Sequence, residues 1–342
     1  MYQIMFYDYQ KVLSYNAMFN FIIGERGVGK TYGAIKFCIN DYLKNGNQFV
    51  YVRRFKTEIE SSADAKDNSF FAKIEENKEF PDHTFTTKNT RDKAIFKCDK
   101  TICGYAIPLS TSLILKSKSF TKVKTIIFDE FIIERGTYHY LPNEVHQFLD
   151  FCETVMRLRD FRVFFLGNAI QKANPYFNYF NLDTPYGSDI KTYQNGLILV
   201  NYIKNLEYRE TKRQTRFGQL IRGTEYDSYA IDNKFLHENN TFIEKRTQNS
   251  KFFFILKLNH HEYGVWSDGK TGKIYLSSVY DPKCPIIFAW DVNDHDERTK
   301  LIRLRSSDFL KTLIEKYRNG LLCFENQKVK MATLPFLNKY VN

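Results

Sequence analysis

Short apolar runs, each closed by a polar residue, recur through the first two hundred positions of this chain. "NFIIG" (20–24), "FVYVRR" (49–54), "TIIFDE" (125–130), "RVFFLGN" (162–168) and "GLILVNY" (196–202) are continuous rather than alternating. That is the pattern of parallel strands covered on both faces. Between them the period lengthens. Ala34, Ile35, Cys38, Ile39, Tyr42 and Leu43 share one helical face that Gly46 closes, and after Pro142 a second stripe runs through Val145, Phe148, Leu149, Cys152, Val155 and Met156. The alternation predicts an α/β fold with a mostly parallel sheet. Residues 84–107 read as a small antiparallel insertion with polar turns.

Further along the texture changes. Residues 204–223, "KNLEYRETKRQTRFGQLIRG", carry six basic and two acidic residues with few apolar ones, and read as a linker or helical connector. Then "KFFFILKLNHHEYGVWSDGKTGKIYLSS" (251–278) has successive strands joined by polar turns, a β-meander, and "SSDFLKTLIEKYRNG" (306–320) reads as a helix from a serine cap to Gly320. The expected organisation is one domain over 1–203, a basic connector over 204–227 and a smaller α+β domain over 228–342. A length of 342 residues suits two domains.

Composition narrows the class of partner. With 43% hydrophobic and 26% charged residues the chain can build ordinary cores, and its net charge of +11 predicts attraction to a polyanion. No window approaches the ~20 consecutive apolar residues of a spanning helix, and the first residues lack a signal-peptide pattern, so an intracellular location without a membrane partner is expected. Cysteines 38, 98, 103, 152, 284 and 323 have neither metal-ligand nor disulfide-framework spacing. They read as apolar thiols in a reducing compartment. The His260-His261 pair reads as an exposed turn.

The chemistry concentrates in "GERGVGKT". Gly24, Glu25, Arg26, Gly27, Val28, Gly29, Lys30 and Thr31 satisfy G-x-x-x-x-G-K-[ST] between a strand and a helix. Glycines let successive backbone amides turn toward a phosphate, the helix N-terminus adds its dipole, Lys30 reaches the β- and γ-phosphates of ATP, and Thr31 can ligate Mg²⁺. Hydrolysis needs a second, acidic site. Asp129 and Glu130 end the apolar strand "TIIFDE", which suits an aspartate in the magnesium shell and a glutamate that polarises water. Asn168, ending "RVFFLGN", reads equally as a sensor of the γ-phosphate or as a plain Gly-Asn turn. Arg157 and Arg159, after the helix, are candidates for a finger that compensates transition-state charge, but spacing alone favours solvated arginines at a helix dipole. Arg26, Arg53-Arg54-Phe55-Lys56 and Lys116 read as solvated surface. Two basic clusters, Lys116, Lys118, Lys122 and Lys124, and Arg209, Lys212, Arg213, Arg216 and Arg222, suit contact with a phosphate backbone or a solvated face.

Taken together, "YNAMFNFIIGERGVGKTYG", "QFVYVRRFK", "GYAIPLS", "TIIFDEFI", "LPNEV", "NPYF", "TRFGQLIRGTEY" and "FIEKR" resemble the DNA-packaging ATPases, or encapsidation proteins, of small Bacillus phages of the phi29 type. The resemblance covers nearly the whole chain. It implies an additional-strand P-loop ATPase core related to terminase large subunits, then a small RNase H-like domain without cleavage activity. It further implies a homomeric, pentameric ring at the portal vertex of a prohead, in contact with a packaging RNA, that drives double-stranded DNA inside. The motor would act in the cytoplasm of the infected host, attached transiently to the prohead and absent from the mature virion. By position, Lys30 and Thr31 match the phosphate and magnesium residues, Asp129 and Glu130 the Walker B pair, and Arg157 a trans-acting finger. On the residues alone three alternatives stay open: another P-loop translocase or helicase, a nucleic-acid scaffold set by nucleotide, and a terminase with a working nuclease. A live nuclease would need converging carboxylates, and the sequence does not show that Asp268, Asp281 and Asp291 converge.

Overall fold

The computed structural model describes residues 7–64, 66–115, 119–133, 140–168, 174–182, 189–203, 205–224, 227, 242–258, 260–290, 292–302 and 307–339. The chain divides into two compact units, Met1–Gln171 with Leu182–Leu236, and Lys172–Asn181 with His237–Asn342.

The first unit is organised by a nine-stranded sheet. In chain order its strands are β1 Phe19–Gly24, β2 Gln48–Arg53, β3 Phe85–Asn89, β4 Ala94–Cys98, β5 Thr101–Pro108, β6 Val123–Asp129, β7 Arg162–Asn168, β8 Ile190–Tyr193 and β9 Ile198–Tyr202. Across the sheet they run β3-β4-β5-β2-β6-β7-β1-β9-β8. All neighbours from β5 to β9 are parallel, and β3, β4 and β8 add antiparallel edges. β7 is interposed between β1 and β6, with Gly24 level with Asn168 and Asp129 level with Leu166. The five predicted strands are all present. The segment 84–107, expected as an insertion, instead extends the main sheet, because β5 pairs in parallel with β2 from Phe49↔Gly104 to Arg53↔Pro108. Gly104 permits that approach, since a Cβ there would lie 2.8 Å from the Phe49 carbonyl oxygen.

Helices in this unit are α1 Gln10–Leu13, α2 Lys30–Asn45, α3 Lys56–Ser62, α4 Ala72–Glu76 and α5 Glu144–Met156. α2 buries Ala34, Ile35, Cys38 and Ile39 on the sheet and ends at Gly46 with φ 71°, whereas Leu43, counted in the stripe, is exposed. α5 lays Phe148 and Phe151 on the opposite face, with Phe148 stacked on Phe128 at 5.1 Å, while Leu149 is only half-buried. Each such buried phenylalanine stabilises by roughly 1.5–3 kcal/mol.

Beyond α6 Pro175–Tyr179, which belongs to the second unit, lie α7 Leu206–Gln214 and α8 Arg216–Leu220. The basic segment, expected as a linker or helical connector, forms two helices that group with the first unit. Asn205 caps α7 and Thr215 caps α8; Gly218 sits so close to the Lys212 carbonyl that a Cβ would have no room, which fixes the corner between them.

The second unit holds a six-stranded sheet. β10 Lys251–Leu258, β11 His261–Ser267 and β12 Ile274–Ser277 form the expected antiparallel meander, and β13 Ile287–Ala289, β14 Lys300–Leu301 and β15 Leu322–Phe324 complete the order β14-β13-β10-β11-β12-β15. β13 runs parallel to β10 and β14 parallel to β13, the continuation an RNase H-like sheet requires. α9 Asp308–Arg318 and α10 Gln327–Lys339 close the core with Leu310, Leu313, Val329 and Phe336. Ser307 stands at the N-cap of α9 without a side-chain cap bond, and Gly320 follows its end at φ 69°. His260 and His261 are exposed, as expected. Asp268 is committed to its turn, accepting from Thr247 Oγ1 at 2.7 Å and the Lys270 amide at 2.8 Å, and Asp281 accepts from the Lys283 amide. Asp291 lies outside the described residues. Among the described residues no helix is long and apolar enough to cross a membrane.

Candidate active site

Parallel strands all open their C-terminal ends along one edge, and a ligand crevice forms there. In the first unit the residues at that edge are Gly24 of β1, Arg53 of β2, Asp129 of β6 and Asn168 of β7. From Gly24 the chain turns through Gly27 and Gly29, both at φ 88°, into α2. Only glycine adopts that backbone without strain. The carbonyl of Val28 accepts from the Tyr7 amide at 3.0 Å, and the Tyr9 hydroxyl donates to the Lys30 carbonyl at 2.6 Å, so the N-terminal segment braces the loop.

Lys30 is buried at the centre. Its ammonium donates to the carbonyls of Glu25 at 2.8 Å and Gly24 at 3.1 Å and to Asn168 Oδ1 at 3.0 Å. Burial pulls its pKa down to about 8, against the opposing pull of Asp129 and Glu25. Next along α2, the Thr31 hydroxyl donates to both carboxylate oxygens of Asp129, at 3.1 and 3.2 Å. The Tyr51 hydroxyl donates to the same carboxylate at 3.0 Å. Burial, aided by Asp129, pushes the Tyr51 phenol far above its ordinary value, so it stays protonated and keeps its proton on that bond. Asn168 is thus at the site rather than in an incidental turn.

Glu130 departs from the strand. Its φ of 55° swings the side chain out of line, and Arg53 Nη2 holds its carboxylate at 2.7 Å. The same guanidinium pairs with Glu58 at 3.0 Å and lies 3.9 Å from Asp129. Partial burial raises the Glu130 carboxyl above the usual carboxylate range, against the pull of Arg53 and with help from Asp129 and Glu58.

Two cations expected at the surface are therefore inside. Arg53 sits among three carboxylates. Arg54 is 2% exposed and grips Glu144 through two bonds, at 2.6 and 2.9 Å, while also donating to the carbonyls of Glu130 at 3.2 Å and Phe131 at 3.0 Å. Glu144, the acid of "LPNEV", in turn accepts from the Leu141 amide at 2.8 Å. The signal available for Arg53 is topological: it ends the strand next to β6. Lys56 remains an exposed residue, paired with Glu60, and Lys116 and Lys118 lie outside the described residues.

The loop is also held from above. Arg209 of α7 binds the buried Glu25 carboxylate at 2.5 Å, and the Tyr208 hydroxyl and Lys212 ammonium donate to the Arg26 carbonyl at 3.0 and 3.2 Å. The Arg26 side chain itself is exposed at the tip. Of the basic cluster in this segment, Arg209 and Lys212 are thus tied to the loop, whereas Arg216 and Arg222 face solvent. Lys122 and Lys124 are surface residues, the latter reaching the Asp160 carbonyl.

Arg157 and Arg159 have opposite fates. Arg157 is exposed beyond the end of α5, while the Arg159 guanidinium is folded back onto backbone carbonyls.

Comparison with known proteins identifies the relatives of the chain. A family model described as podovirus DNA encapsidation protein (Gp16) matches residues 1–341. The chain is 38% identical to the DNA packaging protein of Bacillus phage phi29 over 337 residues, 98% of each chain, and 38% identical to that of Bacillus phage B103 over 321 residues, 93% of this chain and 96% of the relative. Among solved structures, a chain of the phi29 viral genome packaging motor assembly superposes with TM-score 0.77 at 36% identity, covering 98% of this chain and 99% of that one.

Proposed function

Because the chain belongs to the podovirus DNA encapsidation protein family, we propose that it is a Mg²⁺-dependent ATPase that drives double-stranded viral DNA into a preformed prohead. The observation that carries this reading is the convergence of Lys30, Thr31, Asp129 and Asn168 at the adjoining ends of β1, β6 and β7. The loop cradles the phosphates with its amides, and Lys30 exchanges loop carbonyls for phosphate oxygens. Thr31 and Asp129, two hard oxygen donors in mutual contact, fit a magnesium ion and would hold it. When bound, that ion neutralises charge on the phosphate oxygens.

Glu130 orients the attacking water. To do so its carboxylate leaves Arg53, which passes to Glu58 and Asp129 as remaining partners. Asn168 keeps an amide beside the Lys30 ammonium, where it can register the γ-phosphate. Arg157, exposed on the subunit that carries it, completes the site of a neighbouring subunit in a pentameric ring at the portal vertex. Packaging RNA and portal are partners on the same family grounds, and the site of action is the infected cell. The exposed basic residues contact the DNA backbone without reading bases.

The test is single-turnover ATP hydrolysis with and without intact duplex DNA, for the wild type and Glu130→Gln. The reading predicts DNA-stimulated hydrolysis that falls about a hundredfold or more in Glu130→Gln while nucleotide still binds. Equal rates in the two proteins would overturn it.

A further inference from the structure

Where the chain passes from α5 to β7 it makes a four-residue turn, Met156-Arg157-Leu158-Arg159, whose backbone runs against its sequence. The Arg159 amide donates to the Met156 carbonyl at 3.1 Å, and Arg157, second in the turn, has φ 51° and ψ −122°. Those are the angles of a type II′ turn, where glycine is the default because a Cβ crowds the neighbouring carbonyl. An arginine keeps such a conformation only where its surroundings impose it, and strained residues of this kind gather at functional sites.

The imposing group is Arg159. Its guanidinium donates to the carbonyls of Val155 at 2.5 Å, Phe120 at 2.9 Å, Met156 at 3.2 Å and Val123 at 3.3 Å, and also to that of Thr121. Val155 and Met156 end α5, where carbonyls lack partners within the helix. The other three lead into β6, the strand that carries Asp129. One planar fork of five donors therefore staples the helix end to the start of that strand, which the single ammonium of a lysine cannot reproduce. The two preceding residues are released by the same arrangement. Leu158 is 103% exposed, and the exposed Arg157 guanidinium makes no hydrogen bond or ion pair among the described residues.

We propose that Arg159 is the positioning residue of the finger: it never meets the nucleotide, but holds the turn so that Arg157 projects away from its own subunit. This rests on the reading of Arg157 as a finger acting in trans. The test is complementation between subunits. Arg159→Lys should unfold cooperatively and bind nucleotide with a Kd within about twofold of wild type, while its DNA-stimulated kcat falls on the order of a hundredfold, as for a group misplaced by an ångström. Mixed with Glu130→Gln subunits, which cannot fire their own sites but keep an intact turn, it should regain activity, as should Arg157→Ala in the same mixture. A residue needed only for folding would show no such rescue. Wild-type turnover in Arg159→Lys, or its failure to complement where Arg157→Ala succeeds, would overturn the proposal. If Arg157→Ala also fails to complement, the trans reading falls and the role of Arg159 falls with it. Should the lysine variant not fold, Arg159→Gln, which keeps two donors without charge, carries the same comparison.

Discussion

Lys30 carries its charge to a place water hardly reaches, and its pKa near 8 has a measurable consequence. Above that pH the free site loses its proton, whereas a bound phosphate would restore it, so binding takes up a proton and weakens as pH rises. Nucleotide affinity should be level below about pH 7.5 and then fall by up to about tenfold per pH unit through the range 8 to 9.5. Equilibrium titration with a fluorescent ATP analogue checks this; a flat profile across that range would contradict it. Arg54 makes a different prediction. Arg54→Ala leaves the Glu144 carboxylate, also 2% exposed, buried without its bidentate partner, and should cost about 3–5 kcal/mol in urea unfolding. At this scale the sequence was legible where a motif names its residues, as in Lys30, Thr31 and Asp129. Arg53 and Arg54 were not, since a basic pair after a strand looks the same whether solvent or carboxylates surround it. Only the pairing of β2 with β6 decides between them.

Helix α7 shows how an element can change the meaning of its composition. Six basic residues among twenty suggest a solvated connector, yet Tyr208, Arg209 and Lys212 lie on one helical face and close on the phosphate loop. Removing the guanidinium in Arg209→Ala strands the buried Glu25 carboxylate, whose Oε2 already lacks a hydrogen-bond partner among the described residues. The loop should loosen, with nucleotide affinity lowered by roughly tenfold and the global melting temperature changed by only a few degrees. Gly27→Ala should act more severely, because its Cβ would lie 2.6 Å from the Tyr208 hydroxyl in addition to the strain at φ 88°. Isothermal titration of both variants with ATP is the measurement. The strands and the α2 stripe could be read in advance because burial writes itself into periodicity. The docking of β5 beside β2 and of α7 on the loop could not, since both are contacts between segments far apart in sequence.

For the whole molecule, a net charge of +11 makes salt the natural probe. If exposed basic residues neutralise DNA phosphates, duplex affinity should fall linearly in log–log form with salt, with a slope near −0.9 per phosphate contacted, and show little dependence on base sequence. Filter binding from 50 to 200 mM salt measures it, and a slope near zero would remove the charge from DNA contact. A subtler consequence belongs to β7. It begins at Arg162, with Asp160 and Phe161 separating it from the Arg157 turn, and its seven residues, about 20 Å long, end at Asn168, the amide beside Lys30. Hydrogen-bonded to β6 on one side and β1 on the other, it cannot slip lengthwise without breaking both ladders. The exposed arginine just before this strand and the amide at its far end are thus separated by one clamped span, whose length the sheet itself keeps constant.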